Sequence, residues 1–194
     1  KIVVFKLNDK HYYVQDANGN VTVTQMDVVP YIESGRTFVP VRFLGNALGL
    51  TDDCIKWDQK SKTATLKGKK TLVLTLGSKI MKSDNDSITM DVAPGVKVVD
   101  SNGGARTMLP ARWVAEGLGY KVDWDQEKQM VVCYPEGEPK PDLTKILEVI
   151  KQNSVPVITK GTGNTQISIR ALPGFFDPVS SKPGAKIHCG YLDV

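Results

Sequence analysis

Runs of alternating or β-branched apolar residues recur along the chain, separated by short polar turns. Ile2 to Leu7 opens the pattern and Thr71 to Leu76 repeats it, each suited to a half-buried strand. Each run leads through a turn carrying Asn with Gly or Asp into an irregular Met-Asp-Val segment, Met26 to Pro30 and Met90 to Pro94. Pro40 and Pro110 then stand where a first helical turn tolerates a missing N–H. Apolar residues follow at helical spacing, at Val41, Leu44, Ala47 and Leu48 and again at Ala111, Val114 and Leu118, and Gly49 and Gly119 are placed as left-handed caps. The pairs Trp57-Asp58 and Trp124-Asp125 open closing hairpins, with Thr63 to Leu66 and Met130 to Cys133 as return strands.

The two halves of this pattern are copies. Arg36 to Leu44, then Ala47-Leu48-Gly49, reappears 70 positions later as Arg106 to Val114, then Gly117-Leu118-Gly119. The Met-Asp-Val segments and the Trp-Asp-Gln triplets match as well, so residues 1–68 form a first repeat unit and 69–135 a second. The expected fold class is α+β: two tandem repeats, each a small, mainly antiparallel sheet covered by one helix. A unit of that size is marginal alone, so the two are expected to pack together.

Residues 136–141 read as a Pro- and Gly-containing linker. Asp142 caps a helix through about Gln152, with Leu143, Ile146, Leu147 and Ile150 on one face. Strands are expected at 155–160, 165–170 and 185–192. This β-rich tail, 142–194, is too small to build a core alone and must pack on the repeats or on a neighbouring molecule.

A net charge of +4, with lysines alternating with acids, leaves no evident footprint for nucleic acid. No apolar run approaches the roughly 18–20 residues of a membrane helix, so no membrane span is expected. Cys54, Cys133 and Cys189 allow at most one internal disulfide, and a bridge and buried thiols both remain open. The chain starts directly on a strand, as a secreted protein freed of its leader would.

Arginine occurs only at 36, 42, 106, 112 and 170, and four of these five are matched repeat positions. A guanidinium suits a planar bidentate partner, which points to Arg42–Asp58 and Arg112–Asp125 ion pairs tying helix to hairpin. The alternative is that the arginines hold an anionic ligand. Trp57 and Trp124 fit either core packing or a platform on which sugar rings stack. The opening segment, Ile2, Val3, Val4, Phe5 and Leu7, is apolar, strand-forming and terminal, the properties of a donor strand that completes a neighbour's sheet; the alternative is that it pairs within its own chain, as terminal strands usually do.

Gly35, Arg36, Thr37, Pro40, Arg42, Leu48, Gly49, Trp57 and Asp58 together resemble the hallmark of the copper amine oxidase N-terminal-like domain. The second unit matches at Arg106, Thr107, Pro110, Arg112, Leu118, Gly119, Trp124 and Asp125, with Ala105 in place of the glycine. The resemblance covers about residues 1–135 and implies a repeated envelope-associated module of Gram-positive-type bacteria, extracellular or at the cell surface. It does not imply oxidase chemistry. The chain has only His11 and His188 and no Asn-Tyr-Asp or Asn-Tyr-Glu from which a quinone cofactor forms, so neither a copper site nor any other cofactor is expected. The sequence therefore points to a non-enzymatic structural or assembly subunit of a surface layer, matrix or filament. Its partners would be copies of itself or other envelope proteins. The alternative is a module binding cell-wall polysaccharide.

Overall fold

The computed structural model describes residues 1–99, 104–154, 157–160 and 165–168. In chain order the strands are β1 (Ile2–Lys6), β2 (His11–Gln15), β3 (Val21–Gln25), β4 (Tyr31–Glu33) and β5 (Arg36–Pro40), followed by helix α1 (Val41–Ala47). A 3-10 turn at Asp52–Cys54 leads to β6 (Ile55–Asp58), β7 (Thr63–Lys67), β8 (Thr71–Thr75), β9 (Ile80–Ser83), β10 (Asp86–Thr89), β11 (Gly95–Val98) and β12 (Ala105–Pro110). Helix α2 (Ala111–Gly117), β13 (Tyr120–Asp125), β14 (Met130–Pro135), α3 (Thr144–Ser154), β15 (Val157–Lys160) and β16 (Thr165–Ser168) complete the order. The fold is mixed α+β, and the described residues form antiparallel strands in three main sheets, three helices and a separate β15–β16 ladder.

The local signals are answered where they were expected. Pro40 and Pro110 sit immediately before the helices, and Gly49 and Gly119 take φ of +94° and +91°, a conformation open to glycine and strained for other residues. Asp142 accepts hydrogen bonds from the Thr144 N–H (3.0 Å) and hydroxyl (2.6 Å) just before α3. The Trp-Asp pairs differ in one respect: they end β6 and β13, and so lead into the hairpin turns rather than opening the strands. The expected strand at 185–192 lies outside the described residues.

How the sheets are assembled departs from one sheet per unit. Sheet A has the order β13-β14-β1-β2-β3, joining the last hairpin of residues 69–135 to the first three strands of the chain. Sheet C, β10-β9-β8-β7-β6, joins the last hairpin of residues 1–68 to the strands that follow it. Sheet B, β11-β12-β5-β4, places two hairpins edge to edge, with Val39 opposite Leu109 in the register. The expected boundary near residue 68 thus falls in the turn between two paired strands, β7 and β8. Each hairpin finds its hydrogen-bonding edge in the other half of the sequence, a long-range choice that local periodicity does not encode.

The main core lies between the sheets and helices and includes Phe5, Leu44, Leu66, Leu72, Leu109 and Val114. A second core lies on the outward face of sheet A, where Ile146 and Ile150 of α3 cover Val4, Tyr13 and Val132. The tail helix therefore packs on sheet A. Cys133 is a buried free thiol whose pKa burial pushes up to about 12, whereas Cys54 is disulfide-bonded. Cys189 lies outside the described residues.

Candidate functional site

The matched arginines of β5 and β12 do the most cross-linking. Arg36 donates from Nε (2.9 Å) and Nη2 (2.7 Å) to Oδ2 of Asp91, while Oδ1 of the same aspartate accepts the Trp113 indole N–H at 2.8 Å. Arg106 donates from Nε to Oδ2 of Asp27 at 2.7 Å and from Nη1 to the Ala105 carbonyl at 3.0 Å. Each arginine reaches the Met-Asp-Val aspartate of the other half of the sequence. The Arg36 guanidinium, followed by the Trp113 N–H, holds the Asp91 carboxyl down at about pKa 2. Asp91 in turn raises the pKa of Arg36.

The two ion pairs expected from the sequence are replaced by other contacts. Asp58 accepts the backbone N–H groups of Lys60 (2.8 Å) and Ser61 (3.1 Å), and Arg42 is exposed. Asp125 accepts the Lys128 N–H at 2.9 Å and faces its ammonium at 3.4 Å. Arg112 donates instead to the Val122 carbonyl (3.1 Å) and to Glu116 (3.3 Å). The cause is local: an aspartate entering a tight turn meets backbone N–H donors two or three residues on, before any distant guanidinium. Those donors lower the pKa of both aspartates, Ser61 leading at Asp58 and Lys128 at Asp125.

Both tryptophans donate to the glutamine two residues on, Trp57 to Gln59 (2.9 Å) and Trp124 to Gln126 (2.7 Å). Trp57 is 37% exposed, whereas Trp124 is half-buried and packs against the main core. Trp124 also lines a cleft of about 350 Å³, in which Ile32, Arg36 and Thr37 face Arg112 and Gln126. The lining combines an aromatic, an amide and a hydroxyl residue with two arginines already engaged, Arg36 on Asp91 and Arg112 on Glu116 and the Val122 carbonyl, a set that can hold a hydroxylated ring. The repeat singled out Trp124, Arg36 and Arg112. That they and Ile32 line one cleft depends on how β4–β5 and β13–β14 meet, for which the sequence carries no local signal.

The proposed donor strand is occupied at home. Val3, Val4 and Phe5 are fully buried, and β1 is central in sheet A, with Val3 opposite both Cys133 of β14 and Val14 of β2. Ile2 pairs with Gln15, and the Leu7 N–H donates to the Gln129 carbonyl at 2.9 Å. Both edges of the segment are filled by its own chain, which leaves no ladder to offer a neighbour.

Residues 16–133 match the family model described as the copper amine oxidase N-terminal domain. The chain belongs to that family. Copper amine oxidase N-terminal domains are a module of bacterial proteins, and the matched span takes in sheets B and C and part of sheet A, whose strands β1 and β2 precede it. No curated protein and no solved structure gives a significant match. The described residues do not offer the copper of the family's name a site. His11 has its Nδ1 at 3.1 Å from Asp9 and 3.0 Å from the Asn153 amide, beside the Tyr13 hydroxyl that donates to Asp9 at 2.7 Å. Among the described residues no group of three or more His, Cys, Asp or Glu side chains is placed to hold a metal ion.

Proposed function

We propose that this chain is a non-catalytic structural module of a bacterial cell surface, in which two tandem repeats are interlocked into one body. The observation that carries the reading is the reciprocal exchange between the halves. Arg36 meets Asp91 while Arg106 meets Asp27, and matched positions pair alike, Val3 with Cys133 and Leu66 with Leu72. Residues that the repeats share are thus used to hold the repeats to one another, which suits a load-bearing or spacer element. The disulfide at Cys54 favours an oxidising, extracellular compartment. Association with envelope proteins or with further copies would use finished surfaces, since the terminal strand is already paired. Fractionation of the native cells tests the assignment: the chain is expected in the wall or medium fraction, and confinement to the cytoplasm would overturn it. Purified protein incubated with copper and primary amines is expected to release no peroxide; sustained turnover would refute a non-catalytic role.

A second reading rests on the Trp124 cleft. Its aromatic and polar lining supports the binding of a cell-wall saccharide in the manner of a carbohydrate-binding module. Titration with a cell-wall disaccharide should shift the NMR signals of the Trp124 indole and the Gln126 amide, and unchanged spectra would discard it.

A further inference from the structure

Residues 55–89, which make up the whole of sheet C, contain eight lysines, three aspartates and no other charged side chain. Their net charge of +5 exceeds the +4 of the entire chain. The register sorts the segment by face. Leu66, Leu72 and Met81 point into the core, while the row Lys56, Thr65, Val73, Lys82 and Ser87 crosses all five strands on the other side. Lys56 and Lys82 are exposed, and three strand spacings of roughly 4.8 Å set them about 14 Å apart. Lys60, Lys62 and Lys79 lie in the turns at the ends of these strands and are also exposed, whereas Lys69 and Lys70 line a cleft on the other side with Met81, Glu116 and Glu136. Of the aspartates, Asp58 and Asp84 turn their carboxylates toward backbone N–H groups, those of Lys60 and Ser61 and that of Thr71. Sheet A has its outward face covered by α3, but the outward residues of sheet C are exposed or only half-buried.

We infer that the outer face of sheet C is a docking surface for a linear polyanionic glycan, a polysaccharide charged through carboxylates. Ammonium groups spaced along a flat sheet complement charges spaced along an extended polymer. The hydroxyls of Thr63, Thr65, Thr75 and Thr89 share this face and match sugar hydroxyls. The outward positions carry neither arginine nor an aromatic ring, the groups that phosphate recognition and base stacking favour, which sets a glycan ahead of a nucleic acid. This face is separate from the Trp124 cleft, so either can fail without the other.

Calorimetric titration of the full chain with polygalacturonate tests the assignment. Binding is expected at low ionic strength and should weaken steeply as salt brings the Debye length below about 10 Å. The double variant Lys56→Glu/Lys82→Glu should lose about tenfold or more in affinity. Lys10→Glu/Lys121→Glu, with the same net charge and both positions exposed, should bind like the parent. Lys56→Gln/Lys82→Gln replaces the first variant if it loses the parent's far-UV spectrum, and should weaken binding in the same direction. Absence of polygalacturonate binding, equal binding of neutral dextran, equal losses in the two double variants, or tighter binding of duplex DNA would each overturn the inference.

Discussion

Among single residues, the pairing of Arg36 with Asp91 separates the observed structure from the pattern read in the sequence. Destabilisation by Arg36→Lys and Asp91→Ala should be less than additive in the double variant, whereas Arg42→Lys and Asp58→Ala should add, as measured by thermal denaturation. Asp91 also gives a pH signature. Its carboxyl is held at about 2, below the roughly 3.9 of an unfolded chain, so its contribution is fully present above the unfolded value and disappears as pH falls through about 2. Melts between these limits should show a smaller acid loss for Asp91→Asn than for the parent. An identical loss would show that the Arg36 contact does not act on stability.

Whole elements show which parts of the fold the sequence encodes locally. β1 is the clearest case: its apolar run marks a strand, but the run cannot say whether β14 of the same chain or a strand of another molecule lies beside it. That choice depends on contacts about 130 residues apart, Val3 with Cys133 and Phe5 with Val131. Deleting residues 1–7 should therefore abolish cooperative folding of the monomer. A well-folded truncated protein that has lost only self-association would restore the donor-strand reading. Phe5→Ala should cost about 3–5 kcal/mol by urea denaturation, because the ring is fully buried between sheet and core. The helices were legible almost to their caps, since Pro40, Pro110, Gly49 and Gly119 act within a turn of themselves. The Arg42–Asp58 and Arg112–Asp125 pairs were misread because repetition shows that residues share a role without saying which partner fills it. Arg36 and Asp91 carried the same repeat signal, and only the packing of β5 against the other half joins them. The lysines of sheet C were hidden in another way. No acid lies between Lys60 and Lys82, so the alternation of lysines with acids fails over this stretch, and only the strand register sets Lys56 and Lys82 in one row.

At the scale of the whole molecule, residues 1–68 and 69–135 are expected to fold and unfold as one interlocked body. The most direct test uses a background in which Trp124 is the sole tryptophan, with Trp57→Phe and Trp113→Phe, and adds Leu44→Ala in the first unit. Leu44 is fully buried, and its truncation should cost about 2–5 kcal/mol. Urea unfolding followed by Trp124 fluorescence, in the second unit, should then shift its midpoint downward together with the far-UV signal in a single transition. A Trp124 transition that stays in place while part of the far-UV signal melts earlier would mean that the units are independent, and would contradict the interlocked fold.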